Sequence, residues 1–277
     1  MEIVFSALDE NTARFQLEGC TTSFANSLRR AMIGEVQTLA IEHVKIYDNT
    51  SALFDEMLAH RLGLIPIRSD GINLVPRSRC TCEGTGCAGC SVIFTMSVEG
   101  PGMVYSRDLI SQDPGIVPAD PAIPIVKLVR DQKVVLEARA VVSSGREHAK
   151  WQPTTACGYK LYPVITISGQ CDGCGQCVDQ CPRDILEIRD GMVATREGKL
   201  EDCSLCRLCE RACINTGIGD EPAIVVTTDD TRFLFVVEGD GSLAFRQIIG
   251  QALEYIRTQS DELSAQVQEI AGETRDE

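Results

Sequence analysis

Eight of the fourteen cysteines in this 277-residue chain fall in two runs of identical spacing, Cys171-x2-Cys174-x2-Cys177-x3-Cys181 and Cys203-x2-Cys206-x2-Cys209-x3-Cys213. Soft thiolates are the preferred ligands of iron–sulfur clusters, and three of them at i, i+3 and i+6 in a tight loop wrap one corner of a cubane. The segment around them has few apolar residues: Val178, Ile185, Leu186, Ile188, Leu205 and Leu208. Clusters there would act as staples, and losing them would unfold the segment, because metal binding is coupled to folding.

The spacing is that of bacterial-type ferredoxins with two [4Fe–4S] clusters, and Pro182 follows the fourth cysteine as in that pattern. The second run has Ile214 in place of the proline, a departure that touches no ligand. In two-cluster ferredoxins the fourth cysteine of each run serves the other cluster. The expected ligand sets are therefore Cys171, Cys174, Cys177 and Cys213 for the first cluster, and Cys203, Cys206, Cys209 and Cys181 for the second.

A separate set, Cys80, Cys82, Cys87 and Cys90, lies in the loop CTCEGTGCAGC, where Gly84, Gly86 and Gly89 permit tight turns. Four thiolates in so short a loop can close a tetrahedral zinc site, the alternative being a loop of plain thiols. Cys20 and Cys157 read as small buried residues.

Cysteines at metal-ligand spacings point to a reducing cytoplasm. The N-terminus MEIVFSALDE has no basic region or cleavage site of a secretory signal, and no apolar run approaches a membrane span. A net charge of −14 argues against direct, sequence-specific nucleic-acid binding, which needs Lys/Arg clusters on the phosphates. Any nucleic acid would be contacted by partners. The three histidines, His43, His60 and His148, have no evident nucleophile partner, and no phosphate- or dinucleotide-binding glycine motif appears. No catalytic residue is expected.

Along the chain, Ile3, Phe5 and Ala7, then Ala13, Phe15 and Leu17, predict two strands joined across Asp9–Thr12. Thr21–Ser23 offers N-caps for a helix with Phe24, Leu28, Ala31 and Met32 on one stripe. Leu39–Tyr47 reads as a strand, with Leu39, Ile41 and His43 on one face and Ala40, Val44 and Ile46 on the other. A second helix is expected between Ser51 and Ile67. The middle is mainly β, with Ser91–Glu99 and Lys133–Val142 as strands and Asp113–Pro124 as a long loop. A hairpin is expected from Ala223–Thr228 and Arg232–Glu238, then a long helix from Leu243 to about Ile270. Both ends thus read as a strand pair plus helix, an α+β domain interrupted by insertions.

Four stretches carry a resemblance to a known family: FANSLRRAM (24–32), DEMLAHRLGLIP (55–66), GREHAKW (145–151) and FVVEGDGS (235–242). They resemble the α-type assembly subunits of cellular RNA polymerases, in the archaeal D-type branch. The resemblance implies a discontinuous dimerisation domain (1–48 and 223–277), a mainly β inserted domain with the Cys-rich loop (49–167) and a ferredoxin-like 4Fe-4S domain (168–222). It implies pairing with subunit L through the first and last helices. The pair would then form a platform for subunits N and P and the large catalytic subunits. The residues implied at partner contacts are Phe24, Leu28, Arg29, Arg30, Met32, Phe245, Ile249 and Leu253. Arg29, Arg30 and the 55–66 segment are implied at a large-subunit contact, and 145–151 at contacts within the platform.

Two functions follow. One is a non-catalytic assembly subunit of DNA-directed RNA polymerase, whose clusters hold shape and tune assembly. The other is a ferredoxin-type electron-transfer subunit of a redox enzyme. A dedicated carrier needs little beyond the cluster fold, which leaves most of this chain unexplained.

Overall fold

The computed structural model describes residues 1–9, 11–71, 74–82, 86–215 and 221–273. The chain opens with β1 (Glu2–Leu8), β2 (Thr12–Glu18), α1 (Thr22–Gly34), β3 (Gln37–Asn49) and α2 (Asp55–Gly63). Strands β4 (Ser91–Glu99), β5 (Gly102–Tyr105), β6 (Ile110–Ser111), β7 (Pro124–Leu128), β8 (Lys133–Ser144) and β9 (Thr154–Ile167) follow. The cysteine segment holds α3 (Gln176–Asp179), β10 (Leu186–Arg189), β11 (Met192–Thr195) and α4 (Leu208–Asn215), before β12 (Ile224–Gly239) and α5 (Phe245–Glu273). These elements fall into two compact units. Met1–Ser6, Arg14–Ala25 and Tyr159–Phe235 form the first; Ala7–Ala13, Asn26–Gly158 and Val236–Glu277 form the second.

The second unit is built on a four-stranded sheet of order β3-β8-β4-β6. Alternation drives it: Val134, Leu136, Ala138 and Ala140 of β8 are buried, as are Val92, Phe94 and Met96 of β4. Antiparallel pairing sets Phe94 against Ala138 and Val92 against Ala140, so larger side chains meet small ones across the strands. Leu58 and Leu62 of α2 join the same core, as do Leu39 and Ile41 of β3.

The face expected for β3 changes along the strand. Its pairing with β8 shifts between Ile41 and His43, a β-bulge that absorbs one extra residue. Val44 and Ile46 thereby pack with Leu39 and Ile41 rather than with Ala40, which joins Val141 and Trp151 instead. The 145–151 motif braces this bulge. Lys150 Nζ donates to the Ile41 carbonyl (3.0 Å) and to the Glu42 carboxylate, and lies 4.4 Å from the Trp151 ring centroid. Trp151 Nε1 donates to the Val141 carbonyl (3.0 Å), and Thr38 Oγ1 donates to the Trp151 carbonyl (2.9 Å).

A second four-stranded sheet has the order β1-β2-β12-β9. Within the first unit, Phe15 stacks on Phe235 (4.8 Å) and Tyr159 meets Phe233 edge-on (5.5 Å). The hairpin expected around Thr228–Thr231 is instead the middle of one 16-residue strand, β12. Asp229 accepts from the Thr231 amide (2.9 Å) and hydroxyl (2.7 Å), and β12 has strand neighbours on both sides along the sheet. Turn-forming residues there bend no chain because ladder pairing outweighs their local preference. The β1–β2 turn closes through the Asp9 amide on the Thr12 carbonyl (2.8 Å), and Glu10 within it lies outside the described residues.

Candidate metal centres

The first cysteine run leaves β9 as a loop and enters α3, which carries Cys177. Gly173 and Gly175 have φ of 70° and 80°, the left-handed region open to glycine. A Cβ on Gly173 would sit 2.2 Å from the Gly191 carbonyl oxygen, so only glycine fits. The second run follows the same backbone path without that help: Leu205 and Arg207, at the equivalent positions, both have φ of 57°. Cys209 and Cys213 lie on α4.

The structure brings the cysteines together across the two runs. Cys181 of the first run lines one cavity with Cys203, Cys206 and Cys209 of the second, walled by Ile185, Leu186, Leu208 and Val226. Cys213 of the second run acts electrostatically on Cys177 alongside Cys171 and Cys174. Cys177, Cys203, Cys209 and Cys213 are buried in one apolar cluster with Ile185, Leu186, Val193 and Ile224. Two groups of four thiols, each drawing three from one run and one from the other, suit the crossed ligation of two cubanes.

Burial disfavours the thiolate at several of these cysteines. Burial, then the neighbouring Cys171, Cys213 and Cys174, pushes the Cys177 thiol up to about 11. Burial does the same to Cys209, also to about 11. Bound iron would reverse this, since a coordinated thiol is deprotonated outright. The second group is better supplied with donors. Burial raises Cys203, while a hydrogen bond from the Leu205 amide and the charge of Lys160 pull it down. Cys206 is lowered, first by the Leu208 amide. Lys160, on β9, donates from Nζ to the Glu201 carbonyl (2.5 Å) and the Cys203 carbonyl (2.7 Å). No motif in the sequence marks Lys160; it looks like one polar position of an alternating strand.

The Cys80 set also converges. Its four Sγ atoms all lie within 4.8 Å of one another, with Cys80–Cys87 at 3.5 Å, Cys82–Cys90 at 3.6 Å and Cys87–Cys90 at 4.0 Å. Thiolates about 2.3 Å from a tetrahedral zinc stand about 3.8 Å apart, so the donor set fits that ion. The Cys82 amide lowers Cys80, but hydrogen bonding with the thiols of Cys82, Cys87 and Cys90 pushes it up to about 12. Gly84 of this loop lies outside the described residues. Burial also raises Cys20 and takes Cys157 to about 11; Cys20 is buried as expected, whereas Cys157 is half-buried.

The residues expected at partner contacts divide by exposure. Leu28, Met32 and Phe245 are buried within this chain, where they serve its own core. Phe24, Arg29 and Ile249 are half-buried, and Arg30 and Leu253 are exposed. From Arg257 to Ile270 every side chain of α5 is exposed, including Leu263, Val267 and Ile270. In the 55–66 segment, Met57 and Leu64 are exposed, next to Phe54 at 79%. Arg29 hydrogen-bonds Asn26 Oδ1 (3.0 Å) and Arg146 pairs with Glu35 (3.3 Å). Among the described residues no helix is long and apolar enough to cross a membrane.

Residues 44–159 match the RNA polymerase Rpb3/RpoA insert domain, and residues 164–187 match a 4Fe-4S binding domain. The second cysteine run lies outside the latter match. Over 266 residues the chain is 46% identical to DNA-directed RNA polymerase subunit Rpo3 of Methanosarcina acetivorans and 48% identical to that of Methanosarcina mazei. Both alignments cover 96% of this chain and 97% of the relative. The Archaeoglobus fulgidus Rpo3 is 40% identical over 93% of this chain and 94% of its own length.

Proposed function

The chain belongs to the family of archaeal DNA-directed RNA polymerase subunit Rpo3, the D-type subunit, and on that premise we propose that it is a non-catalytic assembly subunit. It pairs with the smaller subunit L, and the pair carries subunits N and P and the large catalytic subunits in the cytoplasm. Residues 1–48 and 223–277 serve as the dimerisation domain, 49–167 as the inserted domain and 168–222 as the cluster domain. The observation that carries this reading is the similarity to Rpo3 over 96% of this chain. The exposed apolar residues of α5 supply a face for L, and Phe54, Met57 and Leu64 supply one for a large subunit.

Two [4Fe–4S] clusters are held by Cys171, Cys174, Cys177 and Cys213, and by Cys203, Cys206, Cys209 and Cys181. Their chemistry here is cross-linking: each ties one run to the other, in a segment whose apolar core is too small to fold alone. Cys80, Cys82, Cys87 and Cys90 hold zinc and brace the start of β4. Cluster loss loosens 168–222 and weakens later assembly while pairing with L survives. Affinity purification of the tagged chain tests the reading. Polymerase subunits should be recovered; an electron-transfer partner with no polymerase subunit would overturn it.

A further inference from the structure

Two copies of one ligand pattern suggest two equal sites, but the surroundings of the second copy differ in two independent ways. Its loop runs through left-handed backbone at Leu205 and Arg207, where the first copy has Gly173 and Gly175. Side chains in that region cost energy, so the second loop needs an outside restraint to keep its shape. Lys160 supplies one. Its ammonium reaches from β9 to the carbonyls of Glu201 and Cys203, the short turn from which Cys203 emerges. Both contacts are to backbone, so they fix where the chain goes whatever side chains stand at 201 and 202.

The same ammonium makes no hydrogen bond to a carboxylate among the contacts that fix it. It is half-buried, and its two hydrogen-bond partners are neutral carbonyls rather than carboxylates. The charged groups facing it are Asp202 and Glu201, which favour it, and Arg183, which opposes it. Four thiolates around an iron–sulfur cubane carry net negative charge, and Cys203 places that charge beside Lys160. The turns before Cys171 and Cys203 share one internal bond, from the Cys171 amide to the Ser168 carbonyl (3.1 Å) and from the Cys203 amide to the Leu200 carbonyl (3.1 Å). They differ in their outside anchor: the Ser168 amide bonds the Ala223 carbonyl (2.8 Å), a neutral backbone pair, where the Cys203 turn has the charged Lys160.

We propose that Lys160 is a positioning residue for the second cluster site alone, pinning the Cys203 turn to β9 and balancing the charge of the cluster held there. This rests on the two-cluster reading above. The two sites are then unequal by construction: the first is shaped by its glycines, the second by a lysine from outside the cysteine segment.

The test uses full-length protein purified without oxygen, in backgrounds that keep one site each: Cys171→Ser retains the second and Cys203→Ser the first. Iron and sulfide per chain, and the rate of iron release to a chelator, are measured with and without Lys160→Met. In the Cys171→Ser background Lys160→Met should release iron about tenfold faster, the loss expected of a hydrogen bond made by a charged group. Lys160→Arg, which keeps the charge, should recover part of it. In the Cys203→Ser background release should be unchanged, which also shows that the variant folds. Equal acceleration in both backgrounds, or none in either, would overturn the proposal. Wild-type protein without iron and sulfide would overturn the cluster reading itself, and this inference with it.

Discussion

The β3-β8-β4-β6 sheet and the cysteine segment solve the same problem with different materials. Among the described residues, nineteen buried hydrophobic side chains from the sheet, α2 and the segments packed on them form one cluster, none of them cysteine. The cluster under the cysteine segment has ten buried members among the described residues, and four are Cys177, Cys203, Cys209 and Cys213. One region is held by packing, with the Cys80 set bracing only the start of β4. The other places reactive thiols where a core would have aliphatic side chains, so its cohesion depends on what those thiols bind. Packed aliphatic side chains and clustered thiols thus occupy separate regions of one chain, so the cohesion of one can be tested without disturbing the other.

Removing iron should separate the regions most sharply. Chelation or oxygen should abolish amide hydrogen-exchange protection through α3, β10, β11 and α4, while β4 and β8 keep theirs. Equal loss in both would break the comparison. Next in size, Phe94→Ala should cost about 3–5 kcal/mol in denaturant unfolding of the sheet, with iron content unchanged. Gly173→Ala reverses that pattern. The new Cβ meets the Gly191 carbonyl in a left-handed turn, so the first site should lose iron at a cost of about 1–3 kcal/mol while the sheet melts normally. The smallest effect has the opposite sign. Arg207 is exposed and left-handed, and Arg207→Gly should stabilise the iron-loaded second site by about 1 kcal/mol, read from slower release of iron to a chelator. Destabilisation by this change would mean that the Arg207 side chain, not its backbone, matters.

Much of this was legible in the sequence because the signals are local. Strand Ser91–Glu99 announces itself by alternation, and the cysteine spacing alone names its chemistry. What stayed hidden depends on partners distant in sequence. The bulge that rephases β3 is fixed by β8 and by Lys150, roughly a hundred residues on. Thr228–Thr231 looks like a turn until strand neighbours on both sides are supplied. Leu28 and Met32 make one apolar stripe with Phe24, and spacing cannot say which part of a stripe faces the chain's own core and which a partner. Lys160 is the sharpest case: it is ordinary in its strand and meets the Cys203 turn only when the chain folds.

The most direct test of a scaffold whose clusters hold shape compares tagged wild-type chain with the Cys171→Ser/Cys203→Ser double variant in cells, measuring recovered subunit L and large polymerase subunits. A shape-holding role for the clusters predicts equal recovery of L and reduced recovery of the large subunits with the cluster-free variant. Loss of L together with the large subunits, or unchanged recovery of both, would contradict it.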